Sequence, residues 1–341
     1  MNTFYCVDLF SGAGGLQLGF EKENFKTVFS TDFDKDCEVV HRNNRPNIPF
    51  LRIDIRELTN EMLDAYIDGK EIDVLIGGPP CQGFSTIGNR ASSNEQKRKK
   101  YDERNDLFKE YIRILNHLRP KFFLMENVKG LKTRDGGSIF EEIKNQFKMT
   151  GYKFDYVVLN AADYGVPQIR ERIFFYGTRL DINFEPPAPT HGEGLLPFAV
   201  VGEAIGDLAD KKSGEVPNHS PLNHGIINIE RYKLIPEGGR LPEENLPPEL
   251  YRKNFGNTFK RLHRDKPSLT MVPGHNAFPI HPWLNRSLTV REAARIQTFP
   301  DDYIFYGPRQ KQCMQVGNAV PPLLAQQWAK TIKRLLLNAQ K

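Results

Sequence analysis

Short apolar runs alternate with amphipathic stretches through the first half of the chain. "FYCVDLF", "KTVFSTD", "PFLRIDI", "DVLIGG" and "KFFLMENV" are bounded by turn residues and read as successive strands. Residues 16–23, 35–43 and 106–118 between them have helical spacing; in the last, Leu107, Phe108, Tyr111, Ile114, Leu115 and Leu118 share a face. "KFDYVVLNA" and "RIFFYGTR", separated by the polar "DYGVPQIRE", predict a closing hairpin. This alternation is that of a mostly parallel sheet covered by helices, an α/β doubly wound domain ending near Arg179.

The periodicity then fades. Residues 180–285 hold 14 of the 24 prolines and six of the eight histidines, which predicts a smaller, irregular domain. Its charge is divided: residues 180–250 carry 5 basic against 12 acidic groups, whereas 251–266 carry Arg252, Lys253, Lys260, Arg261, Arg264 and Lys266 against Asp265 alone. One edge is therefore locally basic. Past "RSLTVREAARIQTFPDDY", whose start suits a helix cap, an apolar amphipathic helix runs from about 322 to 337. The expected divisions are 1–179, 180–285 and a return segment, 286–341, whose helix packs back on the first domain.

Composition changes this picture little. At 341 residues, 39% hydrophobic and 26% charged, the chain has ample core and no low-complexity tract. A net charge of +5 hints at a polyanionic partner. The start lacks a signal-peptide pattern and nothing approaches an 18-residue apolar span, so a soluble cytoplasmic protein is expected. Cys6, Cys37, Cys81 and Cys313 are widely spaced with no CxxC pair, which predicts neither a disulfide frame nor a metal site.

The candidate chemistry collects at strand ends. "YCVDLF" runs into "SGAGGLQLGF", a glycine-rich turn opening a helix. Gly12 and Gly14 fit a dinucleotide fingerprint, but Gln17 stands where its third glycine belongs. Asp32 and Asp54 end the next two strands, where a carboxylate meets ribose hydroxyls, and Phe10 and Phe33 lie beside them as faces for an adenine. Gly and Asp are also what ordinary turns use, yet their register favours an adenosyl ligand. Cys81 follows the fourth strand in "GGPPCQGFS", presented by the stiff Pro79-Pro80 turn. Taken alone, a cysteine there reads as a small buried hydrophobe. Glu126-Asn127 at the end of the apolar "FFLMENV" strengthens the other reading: an acid emerging there is expected to be desolvated, with its pKa raised. Gln168, Arg170 and Arg172 in "QIRER" fall at period two, which on a strand puts them on one face.

"DLFSGAGG", "GGPPCQGFS", "MENV", "QIRER", "RSLTVREAARIQTFPDDY" and "QVGNAVPP" occur in an order and spacing that resembles the cytosine-5 DNA methyltransferase family of bacterial type II restriction-modification systems. The match covers 5–178 and 286–330, while 180–285 matches only as the variable segment of such enzymes. The resemblance implies a Rossmann-like S-adenosylmethionine-dependent methyltransferase sheet with a smaller target-recognition domain. It implies methyl transfer from S-adenosylmethionine to carbon 5 of a flipped cytosine, through a covalent adduct of Cys81 at carbon 6. Glu126 would donate to ring nitrogen 3, Arg172 and Arg170 would hold the base, and Gln168 would join the catalytic group. Asn127 would support the catalytic loops. Phe10, Gly12, Gly14, Asp32, Phe33, Asp54, Leu107 and Asn318 would surround the cofactor.

Duplex DNA is the implied partner, and a cognate restriction endonuclease, if one exists, would act separately on it. Lys97, Arg98, Lys99 and Lys100, just past Cys81, are expected to form a lid over phosphates. Arg261 and Arg264 are expected at the DNA within the contact zone 220–275. The same resemblance points to a monomer. Two rivals stay open at this point: a tRNA cytosine-5 methyltransferase, and a catalytically silent DNA-binding regulator on the same fold.

Overall fold

A computed structural model describes residues 3–80, 106–242, 246–251, 259–272 and 278–340. Its strands are β1 (Phe4–Leu9), β2 (Phe25–Asp32), β3 (Phe50–Arg52), β4 (Val74–Gly77), β5 (Phe122–Val128), β6 (Lys153–Asn160), β7 (Gln168–Ile169), β8 (Glu171–Thr178) and β9 (Ser268–Leu269). A seven-stranded sheet has the order β3-β2-β1-β4-β5-β8-β6, and β7 pairs with β9 in a separate two-stranded sheet. The five strands from β1 to β5 pair in parallel. β6 and β8 form the antiparallel hairpin read from the sequence, with β8 inserted between β5 and β6.

The chain divides into two compact units, one of residues 1–160, 171–188 and 325–341, the other of residues 161–170 and 189–324. In the first, alternation along β1 turns Val7 and Leu9 into a core with Phe29, Leu75, Phe123 and Met125. On the opposite face Trp328, from the helix Pro322–Asn338, packs against Phe174 and Tyr176 with ring centroids 5.4 and 5.2 Å away. The strand ends are drawn close by Gly77, where a Cβ would sit 2.6 Å from the Leu9 carbonyl oxygen. Only glycine lets β1 and β4 emerge side by side.

The second unit is built of short elements around small cores, one of them Tyr232, Ile235, Leu241, Phe259 and Ile280. Proline density explains this, since each proline removes a ladder donor and fixes a turn. Its helix Val290–Ile296 opens on a capping box: Thr289 Oγ1 accepts from the Glu292 amide and Glu292 accepts from the Thr289 amide.

Candidate functional site

The loop after β1 turns through left-handed backbone, with Phe10 the residue held there against its preference. Phe10, Gly12 and Gly14 all have positive φ, at 54°, 54° and 73°, and Gly14 caps the helix α1 (Gly15–Lys22). Asp32, at the end of β2, holds the loop: one carboxylate oxygen accepts from the Gly12 amide at 2.9 Å, the other from the Asp34 amide at 3.0 Å. Burial pushes its pKa up. Phe33 follows with 69% of its surface exposed, which leaves its ring face open. Asp54 caps a short turn and pairs with Arg56 at 2.5 Å, which holds its carboxyl below the usual range. Leu107 opens the helix Leu107–Leu118 and packs, partly buried, against the core.

The departure at Gln17 has a physical explanation. Its fully buried side chain accepts from Ser30 Oγ at 2.9 Å, lies 3.1 Å from His41 Nε2 and donates to Glu21 at 2.8 Å. Arg45 then grips Glu21 at 2.8 Å and reaches the Gly14 carbonyl at 3.4 Å. A buried polar network thus ties α1 to β2 and to the helix α2 (Lys35–Asn44), behind the loop; a glycine at position 17 could make none of it.

Sequence reasoning missed Asp8. It lies on β1 in register with Ile76, one step from the strand ends, and is fully buried. Neither carboxyl oxygen has a hydrogen-bond partner among the described residues. Desolvation drives its pKa well up, opposed by Arg45 and reinforced by Glu21 and Asp32. The available signal was an acid at an inward position of a strand otherwise apolar on both faces, since charges so buried are rare without a partner.

At the end of β5, Glu126 is 9% exposed and its carboxylate lies 2.9 Å from Arg172 Nε on β8. The pair follows from register, which sets Glu126 opposite Phe174 and Val128 opposite Arg172. Burial lowers the Arg172 pKa against the pull of Glu126. Gly78 leaves this carboxylate room, because a Cβ there would meet Glu126 Oε2 at 3.1 Å. Asn127 Nδ2 donates to the Pro79 carbonyl at 3.2 Å, binding the end of β5 to the turn that leads to Cys81. Cys81 itself, with Lys97, Arg98, Lys99 and Lys100, lies outside the described residues.

"QIRER" does not form one strand. β7 ends at Ile169 and β8 begins at Glu171, so Gln168 and Arg170 belong to the second unit and Arg172 to the first. The alternation is real, with Gln168 and Arg170 fully buried, and both are hydrogen-bonded within the second unit. Gln168 donates to Gln297 at 3.1 Å and accepts from the Met271 amide at 3.1 Å. Arg170 donates to the carbonyls of Gly317 and Asn318 at 2.9 and 3.3 Å, closing the end of the helix Arg309–Asn318.

The two arginines of the basic edge differ. Arg261 is 5% exposed and donates to the carbonyls of Tyr232, Ile235, His281 and Leu284 and to Asn285 Oδ1, at 2.6–2.9 Å. A guanidinium so saturated has nothing to offer a phosphate, and the expected DNA contact gives way to an internal clamp. Arg264 stays at the surface. Among the described residues no group of three or more His, Cys, Asp or Glu could hold a metal ion, and no helix is long and apolar enough to cross a membrane.

Comparison with known proteins shows the family and the fold. The model of the C-5 cytosine-specific DNA methylase family matches residues 4–334. The chain is 41% identical to the Type II methyltransferase M1.HphI of Haemophilus parahaemolyticus, over 98% of this chain and 89% of the relative. It is 36% identical to M.NgoFVII of Neisseria gonorrhoeae, over 96% and 85%. Among solved structures it is similar to a protein described as a DNA modification methyltransferase encoded within an Escherichia coli prophage, with TM-score 0.78, 27% identity and coverage of 98% and 100%. Entamoeba histolytica EhMeth shares the fold at TM-score 0.66 and 17% identity, covering 98% and 99%.

Proposed function

Because the chain belongs to the C-5 cytosine-specific DNA methylase family and is a cytosine-5 DNA methyltransferase, we propose that Cys81, Glu126 and Arg172 carry the reaction on a flipped cytosine. The observation that bears most weight is the buried Glu126–Arg172 pair beside the turn that leads to Cys81. The target carbon is out of reach inside a duplex, so the base must leave the stack.

The methyl donor implied by the family is S-adenosylmethionine. The residues at the β1, β2 and β3 ends suit it: an exposed Phe33 for the adenine, acceptors in Asp32 and Asp54 for the ribose hydroxyls, and a carboxyl at Asp8 without a hydrogen-bond partner among the described residues for an ammonium. Once bound, it supplies an electrophilic methyl group. Asn318 is assigned to the same ligand on the resemblance alone.

The chain's own residues prepare the base. The Cys81 thiolate adds to carbon 6, and the displaced ring electrons are taken up as Glu126 passes a proton to nitrogen 3, leaving carbon 5 nucleophilic. Arg172 orients Glu126 and offsets developing negative charge. After carbon 5 has been methylated, loss of its proton and departure of the Cys81 thiolate restore the aromatic ring. Asn127 fixes the distance between the acid and the cysteine turn through Pro79. Lys97 to Lys100 close over the DNA backbone, and the protein acts as a cytoplasmic monomer, with any cognate endonuclease working separately.

The test is transfer of labelled methyl from S-adenosylmethionine to unmethylated duplex DNA and, separately, to tRNA, with Cys81→Ala alongside. Label at carbon 5 of cytosine in DNA, lost in the variant, supports the proposal; label retained by Cys81→Ala removes the covalent step.

A further inference from the structure

Arg264 is built unlike a phosphate anchor. It lies in the turn after Leu262, where its backbone carbonyl accepts from the Gly202 amide at 2.8 Å. A Cβ at Gly202 would sit 3.0 Å from that oxygen, so the turn is seated closely. Glu237 takes the Arg264 amide at 2.7 Å and its Nε at 3.0 Å. The guanidinium carbon lies 4.9 Å from the centre of the Trp283 ring. The head group is thus fixed in plane and direction from both sides, although 49% of the side chain is exposed. Its two terminal amino groups make no hydrogen bond with any described residue.

This arrangement separates two roles. A phosphate contact draws on net positive charge and tolerates a mobile side chain. Here Glu237 neutralises the charge and would itself repel a phosphate, while Trp283 and the double hold on Arg264 remove the mobility. What survives is a pair of parallel donors in a fixed plane, which suits two neutral acceptors at fixed spacing. In the major groove guanine alone presents two such acceptors, O6 and N7.

We propose that Arg264, buttressed by Glu237 and Trp283, reads one guanine of the recognised sequence in the major groove. The inference rests on the DNA-methyltransferase reading and adds a base to it. It separates Arg264 from Arg261, whose donors are spent inside the protein, and from Lys260 and Lys266, whose charge suits phosphates.

The experiment is methylation of a randomised duplex library by wild type, Arg264→Ala, Arg264→Lys and Glu237→Gln, with sequencing of the methylated positions. At one guanine of the wild-type site, Arg264→Ala loses discrimination by about tenfold to a hundredfold, while preferences at the other positions persist. Arg264→Lys keeps the charge and loses the same discrimination; Glu237→Gln loses part of it. Replacing that guanine by 7-deazaguanine slows wild type and adds nothing to the slowing already present in Arg264→Ala. An unchanged site in Arg264→Ala overturns the inference, as does a uniform loss across all sequences with a shallower salt dependence. A wild type that modifies no DNA overturns the activity beneath it, a different result. Melting temperatures of the variants separate lost reading from lost folding, and Arg264→Lys supplies the conservative check.

Discussion

At the scale of single residues, the acids of this protein are set apart by their surroundings. Glu126 has a guanidinium at 2.9 Å, whereas Asp8 has no hydrogen-bonding neighbour among the described residues. Glu126→Gln keeps the shape and removes the transferable proton. Methyl transfer should therefore fall by about 10²–10⁴-fold with cofactor affinity little changed, as single-turnover rates and equilibrium binding would show. Asp8→Asn should do the reverse, weakening S-adenosylmethionine binding by about tenfold or more through the lost charge-assisted contact. The sign with pH follows from the raised pKa. Below it the free carboxyl is protonated and must ionise to accept a cation, so wild-type affinity falls on acidification while that of Asp8→Asn stays flat. The charged groups facing Asp8 are Arg45, Glu21 and Asp32. Calorimetric titrations across pH would decide it, and a flat wild-type curve would exclude Asp8 as the ammonium partner.

At the scale of elements, α1 offers a test of motif against structure. A dinucleotide fingerprint favours glycine at position 17; the network around Gln17 says otherwise. Gln17→Gly should destabilise the first unit by about 2–4 kcal/mol, combining a helical glycine with stranded partners in Ser30, His41 and Glu21. It should also raise the KM for the methyl donor by loosening Gly14 through Arg45. A variant that melts at or above the wild-type temperature would contradict this account. The same element shows what was legible in the sequence. Strands buried in the sheet announced themselves as apolar runs, and their polar ends marked the ligand edge. The hairpin was visible too, but nothing local says that β8 enters between β5 and β6, since register is decided by partners distant in sequence. Period-two spacing in "QIRER" set Gln168, Arg170 and Arg172 on one face of a single strand and could not reveal the break at Arg170, which is bonded to carbonyls some 147 residues away. Arg261 was misread for a similar reason: a basic cluster looks alike in sequence whether its members face solvent or close an internal set of carbonyls.

At the scale of the whole molecule, acid stability follows from a buried neutral histidine in each unit. In the first, burial and the nearby Arg45 and Arg42 lower His41 to about 3; in the second, burial, Arg286, Arg261 and His219 outweigh Glu292 and lower His281 to about 4. Both folded values lie below the ordinary 6.5, so between pH 6.5 and 4 the unfolded chain takes up protons that the folded chain refuses. Stability from each is intact above pH 7 and declines on acidification by about 1.4 kcal/mol per pH unit. Asp8 and Asp32, raised by burial, work the opposite way, holding protons that the unfolded chain would release. A single variant isolates one histidine from this balance. Asn at 281 keeps an acceptor for the Trp283 and Leu284 amides that His281 Nδ1 now receives. His281→Asn should therefore lose the acid-side slope by close to one proton while changing stability at pH 8 only through packing. Urea unfolding at pH 8 and pH 5, followed by probes in each unit, reads both numbers. If the units unfold in one transition, the lost slope appears equally at every probe. If they unfold separately, it appears only at probes within 161–170 and 189–324, and the first unit keeps the slope that His41 gives it.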